Sequence, residues 1–263
     1  MRKLALAIGF LCSLIMVQAQ QDNNGFLLSG DVIYEEVVKM DIQLDGVDEQ
    51  IAAQIPKERK SEKILHFNEE VAVFENHQKE DLEENMAHEG GGIMIKMQSP
   101  DNKLHIDFTN RKVVEQKEFM TRVFLIESEL ESQKWKISGK QKKILDYACM
   151  EATREVDGEE IRVWFTPQIA VPAGPGKYSD LPGLVLAAEK HKGDVTWKAL
   201  SVDLKPLDKD VLKKPGKGKK VSHEEYLAIV EEKMKEMGME GDGTWNSDGG
   251  GEHTSTVVIR IQQ

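Results

Sequence analysis

Between Gly30 and Leu204 one pattern repeats: short apolar runs whose alternate residues are polar, interrupted by turn-forming residues about every 8 to 12 positions. Val38, Met40, Ile42 and Leu44 alternate with Lys39, Asp41 and Gln43, the period of a half-buried strand. Ile64–Phe67 and Val71–Phe74 read as a hairpin around Asn68-Glu69-Glu70. Runs at 92–98, 104–109, 112–119 and 122–127 follow, separated by Pro100-Asp101-Asn102 and Asn110-Arg111. The segments 145–153 and 160–166 form the clearest hairpin. Asp157-Gly158 lies in its turn, and this dipeptide tolerates positive φ. The segments 184–191 and 195–204 form another, joined by Lys192-Gly193-Asp194. No amphipathic helix separates these runs, so a parallel βαβ layout is excluded. The pattern predicts a mainly β protein: a curved antiparallel meander sheet, half-barrel or sandwich-like, with one C-terminal amphipathic helix.

The less regular segments complete the plan. Residues 49–55 are expected to form one or two helical turns, and 77–92 an exposed charged loop. The β domain is expected over 20–204, followed by a Lys/Gly/Pro linker at 205–221. Five of the eight residues from Lys213 to Lys220 are lysine, which suits a solvated segment. A helix over 222–238 starts at Ser222, with Glu225 at the capping-box position. Tyr226, Val230, Met234 and Met237 share one of its faces. Residues 239–263 read as a Gly-rich loop and a last strand, 256–261, that returns to the sheet of the same domain.

Residues 1–19 carry the pattern of an export signal. Arg2 and Lys3 precede an uncharged apolar stretch from Leu4 to Val17, and Val17-Gln18-Ala19 has the small-residue spacing of a cleavage site. The expected location is therefore periplasmic or secreted, after cleavage near Ala19. Cys12 follows Leu11 inside the apolar run and does not suit lipidation. Its loss leaves Cys149 alone, unable to form an internal disulfide and placed among apolar neighbours as a small buried hydrophobe. No later stretch approaches 18 apolar residues, so no membrane-spanning helix is expected. A formal charge of −11 argues against nucleic acid and anionic lipid as general partners, and 6% aromatic content against a stacking platform.

The chemical motifs of common enzymes are missing. The chain has no Gly-x-Ser-x-Gly elbow, no phosphate-cradling glycine loop and no recognisable base for Cys149. Its seven histidines are scattered without His-Glu-x-x-His spacing. Met86 with His88, Met94 with Met97, and Met234 with Met237 and Met239 suit a soft cation, but helical spacing explains Met234 and Met237 as core contacts. In 242–249 a calcium-loop alignment puts Thr244 first and Ser255 twelfth, where carboxylates are needed. No carboxylate is marked out by an apolar setting. The expectation is no catalytic residue, no metal, no cofactor and no enzyme activity.

One segment is distinctive. Trp164-Phe165-Thr166-Pro167, then Gly174-Pro175, then Leu181-Pro182-Gly183-Leu184 resembles the signature of the GLPGLI family of exported bacterial proteins. Ile55–Arg59, Lys142–Leu145 before Tyr147 and Cys149, and the helix from Ser222 extend the resemblance over most of the chain. The chain departs from that pattern at Asp180, where the family has glycine, at Val185 and at Asp146. The change at 180 suggests that positive φ is not strictly required there, although aspartate can still adopt it. The resemblance implies an exported β protein with no assigned catalytic or binding residue. Physically, the prolines make 167–180 a rigid crossing loop, either a structural plug anchored by Leu181 and Leu184 or a gate over a ligand cavity. The expected role is binding or carrying a hydrophobic small molecule. The alternative is a structural or interaction protein serving an outer-membrane partner.

Overall fold

The computed structural model describes residues 28–39, 57–77, 81–84, 94–98, 100–236 and 257–260. The leader at 1–19, the alternation at 40–44, the helical turns expected at 49–55 and the Gly-rich segment at 239–252 lie outside the described residues.

Twelve strands form one open sheet in the order β14-β8-β7-β6-β3-β2-β1-β13-β12-β11-β10-β9. They are β1 (Gly30–Lys39), β2 (Glu58–Phe67), β3 (Val71–Asn76), β6 (Lys103–Asp107), β7 (Lys112–Phe119), β8 (Arg122–Glu129), β9 (Lys136–Ile144), β10 (Tyr147–Val156), β11 (Glu159–Thr166), β12 (Leu184–Lys190), β13 (Val195–Leu204) and β14 (Lys219–Val221). The expected meander is present as two antiparallel stretches, β2 to β8 and β9 to β13. β1 joins them by pairing with β2 on one side and β13 on the other. β14, at the end of the expected linker, adds in parallel to β8.

Local chemistry sets the turns. Asn68 Oδ1 accepts from the amides of Glu70 and Val71 at 2.9 and 2.7 Å, closing the β2–β3 hairpin. Asp157 and Gly158 both take positive φ, 46° and 83°, as a two-residue β10–β11 turn requires. The sheet must curl, because adjacent residues touch strands far apart. Lys177 reaches Glu115 of β7 at 2.6 Å, while Tyr178 packs on Trp197 of β13. Those strands are five steps apart, roughly 24 Å in a flat sheet at ~4.8 Å per step. The curl closes around one core that includes Tyr34, Phe67, Phe74, Phe165 and Leu186.

Helix α1 (His223–Glu236) carries the expected capping box. The Glu225 amide donates to Ser222 Oγ at 3.1 Å, and the Ser222 amide donates to Glu225 Oε2 at 2.8 Å. Its buried Tyr226 and Val230 lie with Phe119, Phe124 and Ile126 of β7 and β8, so the helix covers the sheet. β15 (Val257–Arg260) pairs with β5 (Met94–Gln98), which pairs with β4 (Asp81–Glu84) in a separate three-stranded sheet. The last strand was expected to rejoin the main sheet; instead, its register runs along β5.

A pH-sensitive clasp holds β1 to β2 and β3. His66 Nδ1 lies 2.6 Å from Asp31, and its Nε2 lies 3.6 Å from Glu75. Burial opposes the charged imidazolium, but the hydrogen bonds and charges of Glu75 and Asp31 outweigh it and raise the pKa above 6.5. A raised histidine stabilises fully below its unfolded pKa and loses that contribution as pH rises through its folded value. Thermal unfolding should therefore show stability falling on the alkaline side of pH 6.5. In His66→Gln this component of the slope should vanish, and an unchanged slope would rule the clasp out.

Candidate functional site

The segment from Thr166 to Leu184 is built into the core. Ile169, Val171, Ala173, Tyr178 and Leu181 are buried, and Tyr178 stands edge-on between Trp135 and Trp197, 6.0 Å from each ring. The Leu184 amide donates to the Ile169 carbonyl, and Val185 donates to Ala173, both at 2.9 Å. Trp135 Nε1 donates to the Ser179 carbonyl at 2.8 Å, and Gln133 Nε2 donates to that of Lys177 at 2.7 Å. Of the motif residues, Phe165, Thr166, Gly174, Pro175, Leu181, Gly183 and Leu184 are buried, whereas Pro167 and Pro182 are exposed and Trp164 is half-buried.

Asp180 does adopt positive φ, at 60°. Its carboxylate adds what glycine cannot: it accepts from Arg111 at 3.0 and 3.2 Å and from the Gln133 amide at 2.8 Å. Burial alone would raise its pKa, but the Arg111 and Gln133 hydrogen bonds hold it below the usual carboxylate value. Asp180→Ala removes these bonds and leaves at positive φ a residue without the polar side chain that helps aspartate tolerate it, and should cost about 2–3 kcal/mol in denaturant unfolding. Asp180→Gly keeps the backbone and should cost less. Equal losses would show that the backbone conformation contributes nothing.

Among the described residues three carboxylates are buried, contrary to the expectation that none would be set apart. Glu36, 3% exposed, accepts from Trp197 Nε1 at 2.9 Å and from the Ser61 hydroxyl at 3.0 Å, and it pairs with Lys63 at 3.3 Å. Desolvation lowers the Lys63 pKa, with Glu36 opposing. Glu115 pairs with Lys177 and, at 3.5 Å, with Lys117; burial would raise its pKa, but the two lysines hold it low. Glu151 is held by Ser138 at 2.7 Å and Lys140 at 3.1 Å. Glu36 meets Trp197, and Glu115 meets Lys177, across strands and loops distant in sequence, so no linear motif marks those pairs.

An open groove of about 570 Å³ lies across β11, β12 and β13, under the turn between β9 and β10. Trp164, Ala187 and Lys198 share one register row in its floor. Lys142 Nζ stands 4.0 Å from the Trp164 ring centroid, a cation–π contact. Desolvation lowers the Lys142 pKa, with Glu189 as the leading opposing charge. Glu189 is itself bound to Arg162. Leu145, at φ 53° and 42% exposed, overhangs the groove as an apolar wall. The sequence pointed away from a stacking platform, yet here an indole, charged side chains and a recess come together. The signal missed was β9 itself, whose lysine-rich pattern hides an edge strand. Among the described residues, no cluster of three or more His, Cys, Asp or Glu is placed to hold a metal, and no helix is long and apolar enough to cross a membrane. Cys149 is buried, and desolvation raises its pKa.

A sheet of this topology with its clamped crossing loop defines a class of β domain, and comparison places it. The family model described as "N-glycanase peptide, N-terminal domain" matches residues 56–226, well over half of the chain. The chain belongs to that family. Two structures of PNGF-II, in space groups P21 and C2, share the fold with TM-scores of 0.50 at 19% and 20% identity. Each match covers 77% of this chain but only 33% and 32% of PNGF-II, so the chain spans about a third of those proteins. No curated protein matches.

Two expectations are corrected. The GLPGLI assignment gives way to the N-glycanase domain, whose match contains the whole 164–185 segment. That segment misled because its glycines and leucines answer to packing. A Cβ on Gly174 would lie 2.7 Å from Val185 Cβ, which explains the residue without naming a family. The expectation of a non-enzyme is overturned by membership of a family named for an enzyme. It rested on missing linear motifs, and their absence excludes no activity.

Proposed function

We propose that this chain works in the enzymatic removal of N-linked glycans, as the domain that engages the glycosylated protein. The observation that carries this reading is the family match over residues 56–226. The groove beside Trp164 supports it, since a half-buried indole with polar neighbours offers both an apolar surface and hydrogen-bonding groups. A hydrophobic ligand inside the curl of the sheet would compete with Tyr34, Phe74, Phe165 and Ile169 for the same space, so engagement at the outer surface has better support.

Binding of the full chain to an immobilised N-glycoprotein, before and after enzymatic removal of its glycans, tests the proposal. At least ~10-fold tighter binding to the glycosylated form is expected, about 1.4 kcal/mol. Equal binding to both forms would overturn it.

A further inference from the structure

We propose that the groove between Trp164 and Lys198 is a binding site for an anionic saccharide, a sugar ring bearing a carboxylate or sulfate. This rests on the glycan-engaging reading above and names the chemistry its groove selects.

The geometry supplies a sugar-sized gap. Trp164 of β11, Ala187 of β12 and Lys198 of β13 lie side by side in register. Two strand steps separate the outer pair, roughly 10 Å at ~4.8 Å each. Ala187 contributes only a methyl group between them, so the row has a bulky side chain at each end and a recess in the middle. A pyranose seated there lies against the indole at one end and presents a substituent to the Lys198 ammonium at the other. The groove volume, about 570 Å³, falls within the range of small-ligand sites.

Charge then selects among sugars. The protein as a whole is acidic, at −11, but the groove is lined by Lys142, Lys143 and Lys198. The carboxylate in its lining, Glu189, pairs with Arg162, which also binds Glu151 and Glu160. Asp146 pairs with Lys143 at the surface, leaving Lys142 and Lys198 without an ion pair among the described residues. Lys142 is partly desolvated and rests on the Trp164 ring, so an arriving anion meets a cation that has already lost part of its hydration. A neutral sugar gains the stacking surface and hydrogen bonds from the ammonium groups, but no charge pairing. An acidic peptide gains the ammonium groups but has no ring to fill the recess over Ala187.

Titration calorimetry of the full chain with 3′-sialyllactose, a sulfated lactose, lactose and a short glutamate peptide tests this. The charged saccharides should bind about tenfold more tightly than lactose, and the peptide more weakly than either. Lys142→Gln with Lys198→Gln should erase the preference for charge, bringing the charged saccharides down to the affinity of lactose for the same variant. Ala187→Leu fills the recess and should abolish binding of every saccharide, with circular dichroism and thermal unfolding verifying the fold. Equal affinity for lactose and sialyllactose, binding of the peptide as tightly as the sugars, failure of all saccharides to bind, or indifference to the lysine changes would each overturn the site. The two proposals fail separately. Should the chain prefer glycosylated protein but ignore the lysine and Ala187 variants, glycoprotein engagement stands and this groove is not its site. Should it bind sialyllactose in the groove yet not discriminate glycosylated protein, the groove stands and the broader role falls.

Discussion

Glu36→Gln is expected to lower stability by about 3–5 kcal/mol, the usual cost of breaking a buried ion pair from one side. The substitution keeps the shape of the side chain: an amide oxygen at the Oε1 position can still accept from Trp197, while the NH2 at the Oε2 position faces the Ser61 hydroxyl, which can accept from it. What it removes is the negative charge beside Lys63, whose side chain is only 3% exposed. That ammonium would keep its 2.6 Å hydrogen bond to Asn76 but lose its counter-charge. For a chain of this length a loss of this size moves the thermal midpoint down by roughly 10 °C. The sign of the pH response identifies the cause. The Lys63 pKa is already depressed by burial, and without Glu36 it falls further. The unfolded state then binds the extra proton, so the variant should regain stability as pH rises. Glu36→Leu with Lys63→Met removes both charges and should cost less than Glu36→Gln alone. Chemical denaturation across pH measures all three, and a double variant worse than the single one would show that the pair, rather than the stranded charge, carries the energy.

That cluster also shows where reading the sequence runs out. Strand content was legible because period-two alternation is local: β7 and β13 occupy the expected residues, and the Asp157-Gly158 turn and the Ser222–Glu225 cap depend on neighbours a few positions apart. Edge strand β9 broke that rule. Nearly all of its residues are exposed and its sequence is rich in lysine, so there is no apolar stripe to read. The proposed groove was harder still. Trp164 and Lys198 flank one groove only because β11, β12 and β13 align in one register, and Glu36 meets Trp197 across 161 positions of sequence. Nothing local in the sequence specifies such meetings. Trp164 was singled out as a motif residue, but the sequence alone could not tell a loop anchor from the floor of a groove.

Gly183→Ala tests the same motif from its structural side and should be strongly damaging for a change of a single methyl group. A Cβ at 183 would lie 2.1 Å from the Thr166 carbonyl oxygen and 2.7 Å from its carbon, with Pro167 Cα at 3.0 Å. These are backbone atoms at the end of β11, so no rotamer change relieves the overlap. Either β11 or the start of β12 has to move, and both are tied down. Tyr34 donates to the Val185 carbonyl at 2.6 Å, and the Leu184 amide is bonded to Ile169. Overpacking against mobile side chains costs about 1–3 kcal/mol; against fixed backbone in a filled core the cost should reach about 3 kcal/mol or more. Pro182→Ala, one residue away and exposed, is the matched control and should stay within about 1 kcal/mol. Displacing β12 also shifts Ala187 and Lys198 relative to Trp164, because the register that aligns them runs through that strand. Folded Gly183→Ala should therefore also bind sialyllactose less tightly, although residue 183 does not line the groove. If the variant unfolds with the wild-type midpoint and binds normally, the close approach of Gly183 to Thr166 has no mechanical consequence, and the crossing loop does not brace the groove.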